Sequence, residues 1–236
     1  HMLDRLALSF DLQRQFAGNA AHELRTPLAM MQTKLELFAE EHSDVDAETS
    51  KLVQFQIDQV DRLTSLVRTL LEMSNLQSVS RSDEIELAPL IDEILTDLTT
   101  LAEQKNITLH QNCEDVHMIG SDTLIYRLLF NLIENAIKYN HSGGSVTVSM
   151  QQENQQVLLH IADTGCGIPE KYRESIFQPF FRVDKSRSRQ MGGVGLGLAL
   201  VREIAVLHGG SVCVESGSKD GTTFAVRLPL NGEKTE

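Results

Sequence analysis

Four short stretches of this chain carry residue types able to do chemistry on a phosphate group. His22-Glu23-Leu24-Arg25-Thr26-Pro27 sets an imidazole beside a carboxylate. An imidazole with an ordinary pKa of about 6.5 is mostly neutral and nucleophilic at neutral pH. A carboxylate that takes the ring proton as a new bond forms makes it a better nucleophile. Asn131 and Asn135 are four residues apart with Glu134 beside them, so two amide oxygens share one helical face. Such oxygens suit Mg2+, which also shares phosphate oxygens. Lys138 continues that turn and could neutralise phosphate. Asp163 ends the apolar run Val157-Leu158-Leu159-His160-Ile161 and opens Thr164-Gly165-Cys166-Gly167. A carboxylate there can accept a hydrogen bond from an exocyclic amine such as that of adenine, and Gly165 and Gly167 let backbone approach a flat ring. Finally, Gly193, Gly195 and Gly197 alternate with Val194 and Leu196 just before a helical pattern. Amides at a helix start hold phosphate oxygens.

Taken singly, each stretch has a plainer explanation. A lone histidine on a helix is ordinarily surface, and the other histidines, including His42, His110, His117 and His208, are assigned there. An N-x-x-x-N pair is commonly polar surface, and Asp-x-Gly is a common turn. The glycine run lacks the G-x-x-x-x-G-K-[ST] spacing, and no strand feeds directly into it, so neither a P-loop nor a dinucleotide fold is supported. The basic stretch before it, with Arg182, Lys185, Arg187 and Arg189, reads as a lid closing over phosphates.

The elements that must position these groups fall into two kinds. Up to residue 77 the only glycine is Gly18 and the only proline is Pro27. Ala17, Ala21, Leu24, Leu28, Met31, Leu35 and Phe38 form a heptad seam on a long helix. His22 lies about 100° off that seam, facing solvent, with Thr26 on the same face. Pro27 should bend the helix below it. A polar break at Glu40 to Asp46 precedes a second helical pattern from Leu52 to Met73. The apolar stripes are too wide for one hairpin to cover, so two copies should form a four-helix bundle. A spacer coiled coil with no chemistry would satisfy the same periodicity.

After a linker at Gln77 to Asp83 the composition shifts toward glycine and alternating β-branched residues. The patterns predict strands at 84–87, 107–111, 145–151, 157–163, 211–216 and 222–229. Helices are predicted at 89–105, from Ser121 and Asp122 as caps to about Asn140, and at 194–208. This is an α+β layer with helices on one face of a mixed sheet.

Composition narrows the class further. The net charge of −12 argues against a nucleic-acid partner, which would call for a basic face. Trp is absent, so the cores must be mainly aliphatic. Cys113, Cys166 and Cys213 are odd in number and lack CxxC spacing, which disfavours a disulfide framework or zinc site and fits a reducing compartment. No run approaches the roughly 18 to 20 apolar residues that span a bilayer. The opening His1-Met2 reads as a tag remnant, so a piece of a longer protein is expected.

With all these residues in view, the chain resembles the sensor histidine kinases of two-component signalling. FAGNAAHELRTPL is similar to their H box, NLIENAIKY to the N box, DTGCGI to G1, FQPFFR to the F box, GGVGLGL to G2, and GTTF to a final glycine motif. Six motifs in family order cover nearly the whole chain. The resemblance implies a dimerisation and phosphotransfer domain at 1–77, an α helical hairpin forming a dimeric four-helix bundle. It implies a catalytic ATP-binding domain at 78–236, an α+β two-layer sandwich of the gyrase–chaperone–histidine kinase type. His22 would be the phosphoacceptor and Glu23 its general base. Thr26 would help dephosphorylate the regulator. Asn135, supported by Asn131, would hold Mg2+. Asp163 would bind the adenine amine. ATP contacts would come from Lys138, Tyr139, Gly165, Gly167, Phe180, Arg182, Gly193, Gly195, Leu196, Gly197 and Thr222. The implied partners are a second copy and a cognate response regulator, with a membrane reached only through missing N-terminal segments of a membrane-anchored sensor. Two other readings remain at this point: an ATPase of the gyrase–chaperone type without a phosphohistidine, and a dimeric scaffold without nucleotide chemistry.

Overall fold

The computed structural model describes residues 2–42, 45–183, 195–218 and 221–231, without the side chains of residues 2–19, His22 and Ser218. The chain divides into two compact units, one up to Gln77 and one from Ser78 on.

The first unit is a helical hairpin of α1 (Met2–Glu41) and α2 (Ala47–Asn75). Helix α1 runs through Pro27 without interruption. Asp46 starts α2: its Oδ1 accepts the N–H groups of Glu48 and Thr49, at 2.9 and 3.0 Å, and its Oδ2 accepts the Thr49 hydroxyl. These bonds, led by the Thr49 hydroxyl, hold the Asp46 carboxyl below its usual range. Ser43, in the same polar break, lies outside the described residues. Ala21 and Leu28 pack with Val60, Val67 and Leu71, and Leu35 and Leu70 join them. The seam is only half buried in one chain, since Leu24 and Met31 stay exposed, as do Leu52, Phe55 and Leu63 of α2.

In the second unit, past a single 3-10 turn at Leu76–Ser78, β1 (Asp83–Glu86) leads into α3 (Leu87–Gln104). Then follow β2 (Thr108–Cys113), β3 (His117–Gly120), α4 (Asp122–Lys138), β4 (Ser145–Glu153) and β5 (Gln156–Asp163). After 3-10 turns at Glu170–Tyr172 and Ser175–Phe177, the unit ends with α5 (Gly197–Leu207), β6 (Ser211–Ser218) and β7 (Gly221–Pro229). The main sheet has the order β2-β4-β5-β7-β6, with β2 parallel to β4 and the other pairs antiparallel. One face carries Val146, Val148, Val157, Leu159, Ile161, Phe224 and Val226, all buried under the helices. Truncating one such side chain to alanine costs about 2–5 kcal/mol.

Three features differ from the expectations: β3, the cap of α4 and the place of His208. Strand β3 went unread because His117 to Gly120 is too short to show a period; it pairs with β1 in a separate two-stranded sheet. Ser121 occupies the N-cap position of α4 but makes no side-chain cap bond. The Asp83 carboxylate, brought by β1, accepts the N–H of Asp122 at 3.2 Å instead.

His208 is likewise not a surface residue. It is buried, its Nε2 accepts the Ser121 N–H at 3.0 Å, and its Nδ1 lies 2.9 Å from the Ile204 carbonyl. Those partners require a neutral ring with the proton on Nδ1. Burial lowers its pKa below 6.5. The unfolded chain therefore takes up a proton at a higher pH than the folded one, and folding stability is lost as pH falls below about 6.5. The melting temperature of this unit should drop between pH 7.5 and 5.5 more steeply in the wild type than in His208→Gln. Equal slopes in thermal melts of the two proteins would remove His208 as the cause.

Candidate functional site

In the second unit the site is built where β5 ends. Asp163 pairs with Thr222 of β7, and its Oδ1 accepts the N–H of Gly165 at 2.8 Å and of Thr222 at 3.3 Å. Burial pushes this carboxyl above its usual range. The Gly165 and Thr222 amides, the Thr222 hydroxyl and nearby His141 pull the other way, toward the carboxylate. The result is an acceptor held in a fixed orientation and partly out of water, suited to a neutral N–H donor. Gly165 is required by space: a Cβ there would lie 2.5 Å from the Tyr139 carbonyl oxygen and 2.9 Å from Asp163 Oδ1. That crowding keeps backbone as the wall beside the carboxylate. Gly167 turns the loop with φ 69°, and Cys166 next to it is exposed.

Helix α4 brings its C-terminal turn to the same place. The Tyr139 carbonyl accepts the Cys166 N–H at 3.3 Å. Asn131 Nδ2 donates to the Arg127 carbonyl at 2.7 Å. This turns Oδ1 toward the start of α5, where a Cβ on Gly197 would lie 2.7 Å from it. Asn135 is half-buried one turn along, and its carbonyl accepts the Tyr139 N–H at 3.0 Å. Lys138 pairs with Glu134 at 2.9 Å. Among the described residues no group of three or more His, Cys, Asp or Glu gathers as a metal site. The amide oxygens of Asn131 and Asn135 fit an ion that also draws on nucleotide phosphates, as Mg2+ does.

One contributor escaped the sequence reading. Lys105 Nζ donates to the Lys138 carbonyl at 2.6 Å, putting a cation on the negative end of α4. Burial, with the Lys138 charge, lowers its pKa. Lys105 gets there because α3 ends in a Schellman turn. Asn106 takes φ 53°, and Ile107 N–H bonds to the Ala102 carbonyl at 2.9 Å. The only sequence signal was the Lys-Asn pair closing the α3 pattern.

At the start of α5, Leu196 is buried as the N-cap, Gly195 has φ 81°, and the Gly195 carbonyl accepts the Phe180 N–H at 2.8 Å. Phe180 is exposed and itself left-handed, at φ 64°. A phenylalanine in that region is uncommon and is held there by the bond to Gly195. Arg182 is half-buried close by in sequence. Gly193, and the basic residues Lys185, Arg187 and Arg189, lie outside the described residues.

In the first unit, His22 lies within α1, and its side chain is outside the described ones. Glu23, Arg25 and Thr26 are exposed, while Ala21 is buried in the hairpin core. Glu23, Arg25 and Thr26 therefore border the core on a solvent-facing turn.

Residues 12–79 match the "His Kinase A (phospho-acceptor) domain" family. Residues 120–232 match the "Histidine kinase-, DNA gyrase B-, and HSP90-like ATPase" family. The chain is 36% identical over 228 residues to the sensor histidine kinase RppB of Synechocystis sp., covering 94% of this chain and 50% of that one. It is 34% identical over 233 residues to the sensor histidine kinase WalK of Bacillus subtilis, covering 95% of this chain and 38% of that one. The chain thus spans half or less of the length of these relatives. Among solved structures, it is similar to histidine kinase ThkA in complex with the response regulator protein TrrA, with a TM-score of 0.66 and 25% identity over 98% of this chain and 64% of that one. The matches to these two domain families, together with these relatives, place the chain in the sensor histidine kinase family as a portion carrying its phosphoacceptor and ATPase domains.

Proposed function

We propose that the chain transfers the γ-phosphoryl group of ATP to His22 and passes it on to an aspartate of a response regulator. The observation that carries this reading is the fixed acceptor at Asp163, walled by Gly165 and backed by Thr222, on the same chain as an H-E-x-x-T stretch whose Glu23 and Thr26 are exposed. Asp163 takes the exocyclic amine of adenine. Tyr139, Lys138, Gly165, Gly167 and Thr222 line the nucleotide, and Phe180, Arg182, Gly193, Gly195, Leu196 and Gly197 close over its phosphates. Asn135, with Asn131 in support, would hold Mg2+, which supplies neutralisation of phosphate charge.

A His22 ring nitrogen attacks the γ-phosphorus in line, and the bond to the β–γ bridging oxygen breaks to release ADP. Glu23 receives the ring proton. Positioning and charge neutralisation supply most of the acceleration. Thr26, one helical turn from His22, orients a water that hydrolyses the regulator's phosphoaspartate.

In this reading residues 1–77 form the dimerisation and phosphotransfer domain and residues 78–236 the catalytic domain. The apolar residues left exposed on the hairpin, Leu24, Met31, Leu52, Phe55 and Leu63, are covered by a second copy in a four-helix bundle. The ThkA neighbour, solved with a response regulator, supports that class of partner. Among the described residues no helix is long and apolar enough to cross a membrane. We assign the chain to the cytoplasmic side of a membrane-anchored sensor.

His22→Ala should abolish incorporation of radiolabelled phosphate from ATP, by at least roughly a hundredfold, with nucleotide binding intact. Undiminished acid-labile labelling would remove His22 as the acceptor. Asn135→Asp should slow autophosphorylation on the order of a hundredfold; unchanged turnover in Mg2+ would count against its metal role. With Thr26→Ala, regulator dephosphorylation should fail while autophosphorylation stays within about twofold. Equal loss of both activities would contradict that division of labour.

A further inference from the structure

Asn140 directly follows the Tyr139 cap of α4 and is about nine-tenths buried, with both its amide nitrogen and its amide oxygen hydrogen-bonded. Its Nδ2 donates to the Ser145 carbonyl at 2.9 Å. Its Oδ1 accepts the His141 N–H at 2.9 Å and the Thr164 hydroxyl at 3.3 Å, with His141 Nδ1 at 3.1 Å. The Thr164 hydroxyl oxygen in turn accepts the Ser145 N–H at 2.8 Å, and the Thr164 N–H donates to the Ser145 carbonyl at 3.2 Å. Three chain segments meet here: the end of α4, the start of β4 and the residue after Asp163. A buried amide bonded at both its nitrogen and its oxygen specifies one arrangement, because any slip leaves a polar group unpaired.

The consequence falls on Asp163. Its Oδ1 receives both backbone amides, from Gly165 and Thr222, and the other carboxylate oxygen takes neither of these. Where that second oxygen points depends on the Asp163-Thr164-Gly165 backbone, and the Thr164 end of that backbone is tied to Asn140 and Ser145. We propose that Asn140 and Thr164 are positioning residues that aim Asp163 at the adenine amine and so set the base preference of the pocket. This rests on the reading of Asp163 given under the proposed function. A guanine ring offers a carbonyl where adenine has its amine, so a well-aimed carboxylate accepts the first poorly and the second well. A loosened carboxylate discriminates less. A residue that merely stabilised the fold would change binding of both bases alike.

The test is isothermal titration of the full chain with the β,γ-imido analogues of ATP and GTP in Mg2+. The wild type should prefer the adenine analogue by at least roughly tenfold. Thr164→Val, close in shape but without the hydroxyl, should lose most of that preference by weakening the adenine analogue about tenfold while the guanine analogue changes little. Thr164→Ser should restore the wild-type ratio. Asn140→Leu should act as Thr164→Val does where circular dichroism shows it folded, and the Thr164 pair decides the matter otherwise. A wild-type ratio in Thr164→Val, or equal weakening of both analogues, would overturn the positioning role. Asp163→Asn separates the two levels of inference. If it abolishes the preference while Thr164→Val leaves it intact, only the positioning role fails; if it retains the preference, the adenine reading fails and takes this proposal with it.

Discussion

Everything in the second unit depends on the double use of helix α4. Eight of its side chains, from Leu124 to Ile137, are buried in the core, which takes most of its circumference. The remaining stripe carries Asn131, Glu134, Asn135 and Lys138, and none of these can shift without rotating the core residues. An interior packed to crystal-like density resists such a rotation, since it would expose apolar surface and open voids. The candidate ligands are therefore placed by aliphatic burial, to which the bond of Asn131 to the Arg127 carbonyl and the Lys138–Glu134 pair add. Lys105 completes the arrangement by placing a positive charge on the carbonyl end of the helix.

A second constraint acts at the end of β5. A carboxylate taken partly from water is unfavourable, and Asp163 is kept there by amide donors from Gly165, in the loop after β5, and from Thr222 of β7. Sheet pairing of β5 with β7 puts Thr222 opposite Asp163, so the register of the sheet determines the electrostatics of the site. The clasp of Asn140, Ser145 and Thr164 adds a third segment to the same point. Core, sheet register and a small polar network converge on one side chain.

The first unit obeys a different constraint. A two-helix hairpin has too little interior for its own apolar residues, so Ala21, Leu28, Val60, Val67 and Leu71 are buried while Leu24, Met31 and Phe55 are not. The heptad spacing named the seam residues of α1 but could not say which of them face the helix in the same chain. The steps of three and four describe one stripe, whereas a bundle divides that stripe between two neighbours.

The sequence alone determined the order of elements, the mixed layer of helices on sheet, and the residue types able to handle nucleotide and phosphate. These are local properties: periodicity, capping candidates, glycine spacing and strand-end carboxylates all lie within a few residues of one another. Strand bounds shifted by a residue or two, and β3 was missed because four residues show no period. What only the tertiary structure decided is long-range partnership. Ser121 is replaced as helix cap by Asp83, 39 residues from the amide it serves. His208, read as surface, bonds the Ser121 amide 87 residues away. Lys105 reaches Lys138 across 33 residues, and Asn140 meets Thr164 across 24. Such bonds depend on which segments the packed core brings together, and no local pattern in the chain encodes that.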